Sequence, residues 1–203
     1  MAAEQAYPVS VDGEMPRELS RWLWLIKWLL AIPHYIVLAF LWVAFIILTV
    51  VAFFAILFTG RYPRGIFDFN VGVMRWTWRV GFYTYSALAT DIYPPFTLKS
   101  AKYPATLEVE YPEHLSRGLV LVKWWLLAIP HYLIVVLLQG GFGSWYPSLT
   151  SLLAVIAAVA VLFGRPYPRD IFDLVLGFNR WVFRVLAYGS LMRDEYPPFR
   201  LDP

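Results

Sequence analysis

The sequence predicts an all-α integral membrane protein of two tandem repeats, each a transmembrane helical hairpin plus an amphipathic interfacial helix, with a small cytoplasmic β element. Three observations lead to this fold class: the chain repeats its own motifs, its apolar runs carry almost no charge, and a pair of arginines recurs in each copy. Of 203 residues, 60% are hydrophobic and 15% charged, against about half and about a quarter in soluble proteins. The alternative is a soluble protein with an unusually apolar core. Such a protein would need polar helices around that core, and the chain has too few polar residues to form them.

The duplication covers nearly the whole chain. Four motifs of residues 29–96 return in the same order in residues 126–199, and these are Leu-Leu-Ala-Ile-Pro-His-Tyr, Tyr-Pro-Arg with Ile-Phe-Asp, Arg-Trp with Arg-Val, and Tyr-Pro-Pro-Phe. Such self-similarity marks an internal repeat, so each copy helps to interpret the other. The predicted segments are a cytoplasmic N-terminal strand and lead-in (1–16), membrane repeat 1 (17–98), a linker with a β-strand (99–112) and membrane repeat 2 (113–203).

The first apolar run, residues 22–58, carries a single formal charge, Lys27. As one helix, its 37 residues would be roughly 55 Å long, whereas the hydrocarbon core of a membrane is about 30 Å thick. Either a hairpin of two spans, or an interfacial helix ending near Pro33 followed by one span, would fit. The second copy has a Gly-rich stretch between two apolar runs, at 139–148, which indicates a turn. Repeat symmetry then favours a hairpin in the first copy too, with its turn near residues 40–45.

Positive charges flank both ends of each expected hairpin. The positive-inside rule therefore predicts a multi-pass membrane protein with both ends of each hairpin, and the N- and C-termini, in the cytoplasm. Lys27 and Lys123 lie one turn into the first span of each copy, where we expect them to snorkel towards the headgroups. The other flanking charges are Arg17, Arg21, Arg61, Arg64, Arg117, Arg165 and Arg169.

The third segment of each copy, 68–89 and 173–191, is long enough to span but holds two arginines at i, i+4. Burying both at the bilayer centre would cost roughly 5 to 7 kcal/mol, so an interfacial helix is favoured. A spanning third segment would instead give inverted repeats and six spans, as in many transporters. Asp68 and Asp173 open these segments and are expected to be N-caps.

Short alternating segments predict the β element. Residues 103–111 alternate apolar and polar side chains, and with 95–99 they predict a small cytoplasmic β-hairpin. Residues 7–15 and 199–202 are its counterparts at the two ends of the chain. They could pair with each other or join the central strands in one sheet.

Six repeated arginines are the candidate binding residues, for lipid phosphates or partner subunits. The alternative is a snorkelling face with internal salt bridges to Asp68, Asp91, Asp173 and Asp194. The Tyr-Pro-Pro-Phe motifs are expected to be rigid helix stops. The six arginines are Arg64, Arg75, Arg79, Arg169, Arg180 and Arg184.

His34 and His131 each follow a proline inside an apolar run. We expect them to satisfy backbone groups that the proline kink frees. Alternatives are one b-type haem held between the two imidazoles, a proton relay or a lipid contact. The chain contains no cysteine, which excludes disulfides and thiolate metal sites. No nucleophile–base–acid set is visible and no basic stripe suggests nucleic acid, so we expect a protein that is not an enzyme and needs no cofactor.

Taken together, Ile-Pro-His-Tyr, Tyr-Pro-Arg-x-Ile-Phe-Asp, Arg-Trp-x-x-Arg and Asp-x-Tyr-Pro-Pro-Phe resemble a prokaryotic membrane family known only as domain of unknown function 4389. The resemblance covers two tandem copies, at about 17–98 and 113–201. The second copy differs by an extra tryptophan, at Trp124 and Trp125, which would rotate the following helix by about 100° before Pro130. The resemblance implies a multi-pass protein of the prokaryotic cytoplasmic (inner) membrane, and the family has no settled activity to carry over.

These observations predict a non-catalytic polytopic membrane protein that serves as an accessory or scaffold subunit of a larger membrane complex. Its expected partners are anionic membrane lipids and other membrane subunits. A lipid-binding or lipid-handling protein is the main alternative, and a b-type haem carrier or small transporter is a further one.

Overall fold

The computed structural model describes residues 7–139 and 148–202. Two strands and seven α-helices follow one another, with a short 3₁₀ turn at Leu23–Leu25 and a π-helix at Lys123–Leu127. The elements are β1 (Val9–Gly13), α1 (Lys27–Leu30), α2 (Ile32–Thr59), α3 (Arg64–Tyr83), β2 (Ala105–Val109), α4 (Leu119–Val122), α5 (Ile129–Gln139), α6 (Leu149–Leu162) and α7 (Arg169–Gly189).

The elements form three layers. β1 and β2 make a two-stranded antiparallel sheet, with Val9 opposite Val109 and Gly13 opposite Ala105. The sheet packs on α3 through β2 and on α7 through β1. On their other faces, α3 packs against α2 and α7 packs against α5 and α6. The two Arg-bearing helices therefore lie in the middle layer, and most of α3 is buried.

The sheet differs from the predicted hairpin. A strand does form within residues 103–111, at Ala105–Val109, but its partner is the N-terminal lead-in instead of residues 95–99. Apolar side chains at alternate positions of both strands, Val9, Val11, Leu107 and Val109, face the helices and are buried. The expectation that the N-terminal segment joins the central strand is thus met, and the segment 199–202 is not a strand.

The hairpin expected in the first copy is wrong. α2 is one continuous helix of 28 residues, with no break near residues 40–45. Neither Gly nor Pro lies between His34 and Thr59, so nothing in the sequence interrupts the backbone hydrogen bonds. The helix ends at Gly60, whose φ of 70° gives the left-handed C-cap that favours glycine.

The second copy follows the same path with two shorter helices. Pro33 and Pro63 are 30 positions apart and Pro130 and Pro168 are 38 apart, so the second copy has eight extra residues. The expected turn falls mainly on residues 140–147, which lie outside the described residues. Across this gap, the Thr150 hydroxyl donates to the Leu138 carbonyl at 3.0 Å.

The ends of this path lie at equivalent places in the two copies. α5 begins beside Trp181, in the middle of α7, as α2 begins beside Trp76 of α3. Tyr167 after α6 bonds the Ala87 carbonyl, just as Tyr62 after α2 bonds the Ser190 carbonyl. Together, α5 and α6 therefore correspond to the single helix α2. The two-hairpin plan is corrected in the first copy, and the turn of the second copy stays a prediction because it lies outside the described residues.

Among the described residues, one helix, Ile32–Thr59, is long and apolar enough to cross a membrane. A second candidate exists if Leu119–Leu127 and Ile129–Gln139, which are bent by 44°, count as one span. Only 17% of the most apolar window of α2 is buried inside the structure, so this helix does not form the core of the chain. Neither α3 nor α7 is among these candidate spans.

Candidate functional site

An aromatic cluster surrounds His34, whose side chain is fully buried. The Trp76 indole donates to His34 Nδ1 at 3.0 Å, which ties α2 to α3. The Phe96 ring stacks on the imidazole with centroids 3.9 Å apart. Tyr93 lies against the same imidazole, and its hydroxyl donates to the Leu30 carbonyl at 3.0 Å. The Tyr-Pro-Pro-Phe motif thus closes over the start of α2.

The second copy repeats this cluster around His131, which is also fully buried. The Trp181 indole donates to His131 Nδ1 at 3.1 Å, and Phe199 stacks on the imidazole at 4.4 Å. The Tyr196 hydroxyl donates to the Leu127 carbonyl at 3.2 Å. Each histidine is therefore a packing and hydrogen-bonding centre of its own copy.

The two histidines do not meet. The rings around His34 all come from the first copy and those around His131 all come from the second. In each, Nδ1 accepts an indole hydrogen bond, which leaves the ring proton on Nε2, and Nε2 has no partner among the described residues. Each imidazole is therefore enclosed by rings of its own copy, and among the described residues no ring contact joins His34 to His131.

Lys27 is buried, with its side chain 1% exposed. Its ammonium group donates to the Thr90 carbonyl at 2.7 Å, lies 2.8 Å from an Asp91 carboxylate oxygen, and sits over the Tyr83 ring. Burial lowers the pKa of Lys27, and Asp91 acts against this. The expectation that Lys27 snorkels towards the lipid headgroups is wrong, because its ammonium group is buried and pairs with the carboxylate of Asp91. The second copy repeats these contacts with Lys123, Arg193, Asp194 and Tyr188.

The π-helix explains how both copies keep this geometry. From the lysine to the proline is six positions in the first copy and seven in the second, because of the extra tryptophan. The π-helix at Lys123–Leu127 takes up the additional residue within one wider turn. The rotation expected before Pro130 is thereby cancelled, and Lys123 and His131 make the same contacts as Lys27 and His34.

Arg75 and Arg180 hold the strands. Arg75 donates to the Leu107 carbonyl of β2 at 3.1 Å and pairs with Glu108 at 2.6 Å. Arg180 donates to the Val11 carbonyl of β1 at 2.9 Å and pairs with Asp12 at 2.8 Å. The side chains are 13% and 14% exposed. The structure places both guanidinium groups on the sheet, where they satisfy strand carbonyls.

Arg79 and Arg184 hold the segments that follow the two Tyr-Pro-Pro-Phe motifs. Arg79 donates to the carbonyls of Thr97 and Lys99 and is 1% exposed. Burial lowers its pKa, and the nearby charge of Arg75 acts in the same direction. The segment crosses α3 so closely that a Cβ at Gly72 would lie 2.8 Å from the Leu98 Cβ. Arg184 likewise donates to the carbonyls of Arg200 and Asp202.

Arg64 and Arg169 differ from the other four candidates because they are exposed, at 65% and 81% of the side chain. They begin α3 and α7, and each lies four residues before the aspartate with which it pairs, Asp68 or Asp173. The aspartates are not the expected N-caps, since Pro63 and Pro168 hold those positions. Of the six candidate arginines, these two are the exposed ones.

The sequence alternative of internal salt bridges is met for Asp68 and Asp173, which pair with arginines. Sequence reasoning missed the pairing of Asp91 and Asp194 with the lysines, and the bonds from tryptophan to histidine. The signal was present, since Asp91 and Asp194 recur before each Tyr-Pro-Pro-Phe motif, and Trp76 and Trp181 recur beside each first arginine. Among residues 7–139 and 148–202, no cluster of three or more His, Asp or Glu side chains could hold a metal ion.

The family comparison agrees with the repeated geometry. The model of the family described as domain of unknown function (DUF4389) matches residues 21–97 and 120–200. No curated protein and no solved structure matches the chain. The two matches cover more than half of the chain and contain both aromatic clusters. The chain therefore belongs to the DUF4389 family, as a tandem duplicated member.

Proposed function

We propose that this protein is a non-catalytic accessory or scaffold subunit of a larger complex in the prokaryotic cytoplasmic membrane, with both termini in the cytoplasm. The observation that carries the proposal is the broad apolar surface of the outer helical layer. Large apolar side chains on α2 are exposed along its whole length, from Phe40 at 74% to Phe58 at 72%. Further exposed members are Val43, Ile46, Ile47, Val50, Val51 and Phe54.

This surface continues around the same layer. Trp22, Trp28, Leu133 and Phe163 are all at least half exposed. A monomeric soluble protein rarely exposes contiguous apolar patches above a few hundred Å², so acyl chains or apolar partner helices are the natural cover. Polar and charged side chains of the sheet, such as Asp12 and Glu108, lie on the opposite side of the middle layer. This asymmetry supports a cytoplasmic position for the sheet.

The buried polar residues support a non-catalytic role. Lys27, His34 and Arg79 would be the reactive side chains of an enzyme, but here each bonds to a group of the same chain. Their counterparts in the second copy do the same. These hydrogen bonds join segments of the same chain, so the polar groups are already occupied. Recognition of a partner through the exposed surface is the role that fits this arrangement.

Gentle purification from native membranes tests the proposal. A tag placed after Pro203 would be used to capture the protein, and mass spectrometry would identify what accompanies it. We expect stoichiometric membrane subunits. Ile47→Trp on α2 and the matched Ile156→Trp on α6 add the same bulk to exposed positions, and loss of a subunit with only one of them would show which face it covers. Recovery of the protein alone, with or without a bound lipid, would overturn the proposal.

Lipid binding is the second candidate function. It is favoured by one specific observation, the exposure of Arg64 and Arg169 where the outer and middle layers meet. Head-group selectivity that is lost in Arg64→Ala with Arg169→Ala would support it. The same selectivity in the double variant would remove these two residues from the proposal.

A further inference from the structure

We infer that a cavity between the two copies binds the phosphate group of an anionic phospholipid. The cavity lies where the lead-in of the first copy, residues 16–21, meets the end of α6 in the second. This inference rests on the membrane location proposed above, but not on the presence of partner subunits. It concerns three arginines outside the six repeated ones.

The cavity has a volume of about 430 Å³, enough for a phosphoglycerol headgroup. Arg17, Arg21 and Arg165 line it, together with Glu18 and Tyr167. The Arg21 guanidinium lies directly over Gly164, where a Cβ would be 3.1 Å from Nη2. Gly164 has a φ of 76°, so the sharp turn after α6 both needs glycine and leaves room for the arginine.

The charge of the cavity is unbalanced. Among the described residues, none of the three lining arginines forms an ion pair, and Glu18 is the one acidic side chain of the lining. The lining therefore has a net charge of +2. Guanidinium groups bind phosphate oxygens through paired N–H donors, and the Glu18 carboxylate could accept from a headgroup hydroxyl.

Neighbouring side chains favour a lipid over a free phosphate ion. Trp22 follows Arg21 and is 66% exposed, and Phe163 precedes Gly164 and is 78% exposed. Both belong to the apolar outer layer, so acyl chains have a surface directly beside the cations. Tryptophan at a membrane interface sits at the depth of the headgroups.

The equivalent place in the other half of the molecule is less suited to an anion. There, the Arg117 side chain lies over Gly60 in the same way, and Arg61 corresponds to Arg165. Glu113 stands where the first copy has Arg17, and His114 stands where it has Glu18, so the formal charge of the corresponding side chains falls from +2 to +1. We therefore assign one site to the chain, on the side of Arg17.

The test is lipid titration of the detergent-purified protein, followed by native mass spectrometry. The probes are phosphatidylglycerol, phosphatidylethanolamine and phosphatidylcholine with the same acyl chains. We expect one tightly held phosphatidylglycerol, and binding roughly tenfold weaker or more in Arg21→Gln with Arg165→Gln. Lys99→Gln with Lys102→Gln removes the same charge beside β2 and should bind like the unmodified protein. Unfolding temperatures of both variants would establish that each is folded.

Three results would overturn the inference: equal binding of all three lipids, equal loss in both double variants, or no loss in either. Displacement of phosphatidylglycerol by millimolar inorganic phosphate would show that the site takes the anion alone. Because the titration uses the protein without partners, its outcome is independent of the search for subunits. A failure here and a failure of the accessory role are therefore separate results.

Discussion

Lys27 and Asp91 form a buried ion pair whose partners contribute unequally to the fold. The lysine is 1% exposed, whereas the aspartate is 27% exposed and also accepts from the Ser20 backbone amide. A buried ammonium group is stable only while a carboxylate and backbone carbonyls surround it. Removing the aspartate would therefore leave an unpaired charge in the core, and removing the lysine would leave a carboxylate that water can reach.

We predict that Asp91→Ala lowers the free energy of unfolding by about 3 kcal/mol, because it leaves Lys27 charged and unpaired. Asp68→Ala, at the exposed pair with Arg64, is the control and should cost less than about 1 kcal/mol. Denaturant unfolding in detergent micelles measures both. Adding Lys27→Met to Asp91→Ala should recover part of the loss. If the double variant is no more stable than the single one, the buried charge is not the cause.

The buried hydroxyl of Tyr62 makes the stability of the fold depend on pH in the alkaline range. Burial raises the pKa of its hydroxyl to about 12, although hydrogen bonds from Asn70 and Thr49 act against the shift. The pKa of an unfolded tyrosine is about 10. The stabilising contribution is therefore complete below pH 10 and is lost as the pH rises from 10 to 12.

Tyr62→Phe should flatten that part of the pH profile, since phenylalanine does not titrate. The measurement is the unfolding midpoint between pH 9 and 12, with tyrosinate absorbance followed in parallel. Burial also raises the pKa of Tyr7, Tyr103 and Tyr167, so some slope will remain. An unchanged slope in Tyr62→Phe would contradict the prediction.

At the scale of elements, the repeat predicted equivalent contacts better than it predicted helix boundaries. The motifs placed α3 and α7 correctly as Arg-bearing helices outside the candidate spans. The hairpin of the first copy was wrong because it was carried over from the Gly-rich stretch of the second copy. From Pro130 to Gly164 the second copy has seven more residues than the first has from Pro33 to Gly60, where the chain is one long helix. A Gly-rich segment inserted in one copy has the same local composition as a turn that both copies share. The sequence of the second copy alone therefore could not distinguish the two.

The π-helix gives the sharpest prediction at this scale. Deleting Trp125 makes the second copy read Lys-Trp-Leu-Leu-Ala-Ile-Pro-His-Tyr, which is identical to residues 27–35. We expect the variant to fold with stability within about 1 kcal/mol of the original, because a regular turn replaces the π turn.

Deleting Trp28 from the first copy is the matched control. It removes one residue from a segment without a π turn, and so rotates Lys27 by about 100° relative to His34. The Lys27–Asp91 pair and the His34–Trp76 bond cannot both survive, and the unfolding midpoint should fall sharply. Equal tolerance of the two deletions would show that the π-helix does not compensate for the extra residue.

At the scale of the whole molecule, each half of the chain completes the other. Arg75 in the first half binds β2 of the second, and Arg180 in the second half binds β1 of the first. α2 ends against the second copy and α6 ends against the first, through Tyr62 and Tyr167. These exchanges could not be read from either copy alone, because the motifs show which residues are equivalent and not which copy supplies their partners.

This exchange predicts that neither half folds by itself as a monomer. A fragment of residues 1–100 leaves Arg75 without its strand, and a fragment of residues 101–203 leaves Arg180 without β1, so each exposes buried guanidinium groups and apolar strand positions. We expect each fragment alone to be degraded rapidly in membranes, and co-expression to restore protease resistance and joint purification through a single tag. A fragment that is as protease-resistant as the full chain while monomeric would show that the copies are independent domains. Splitting the chain at the same point leaves every residue present, so recovery on co-expression would assign the loss to the missing partner strand instead of to the new termini.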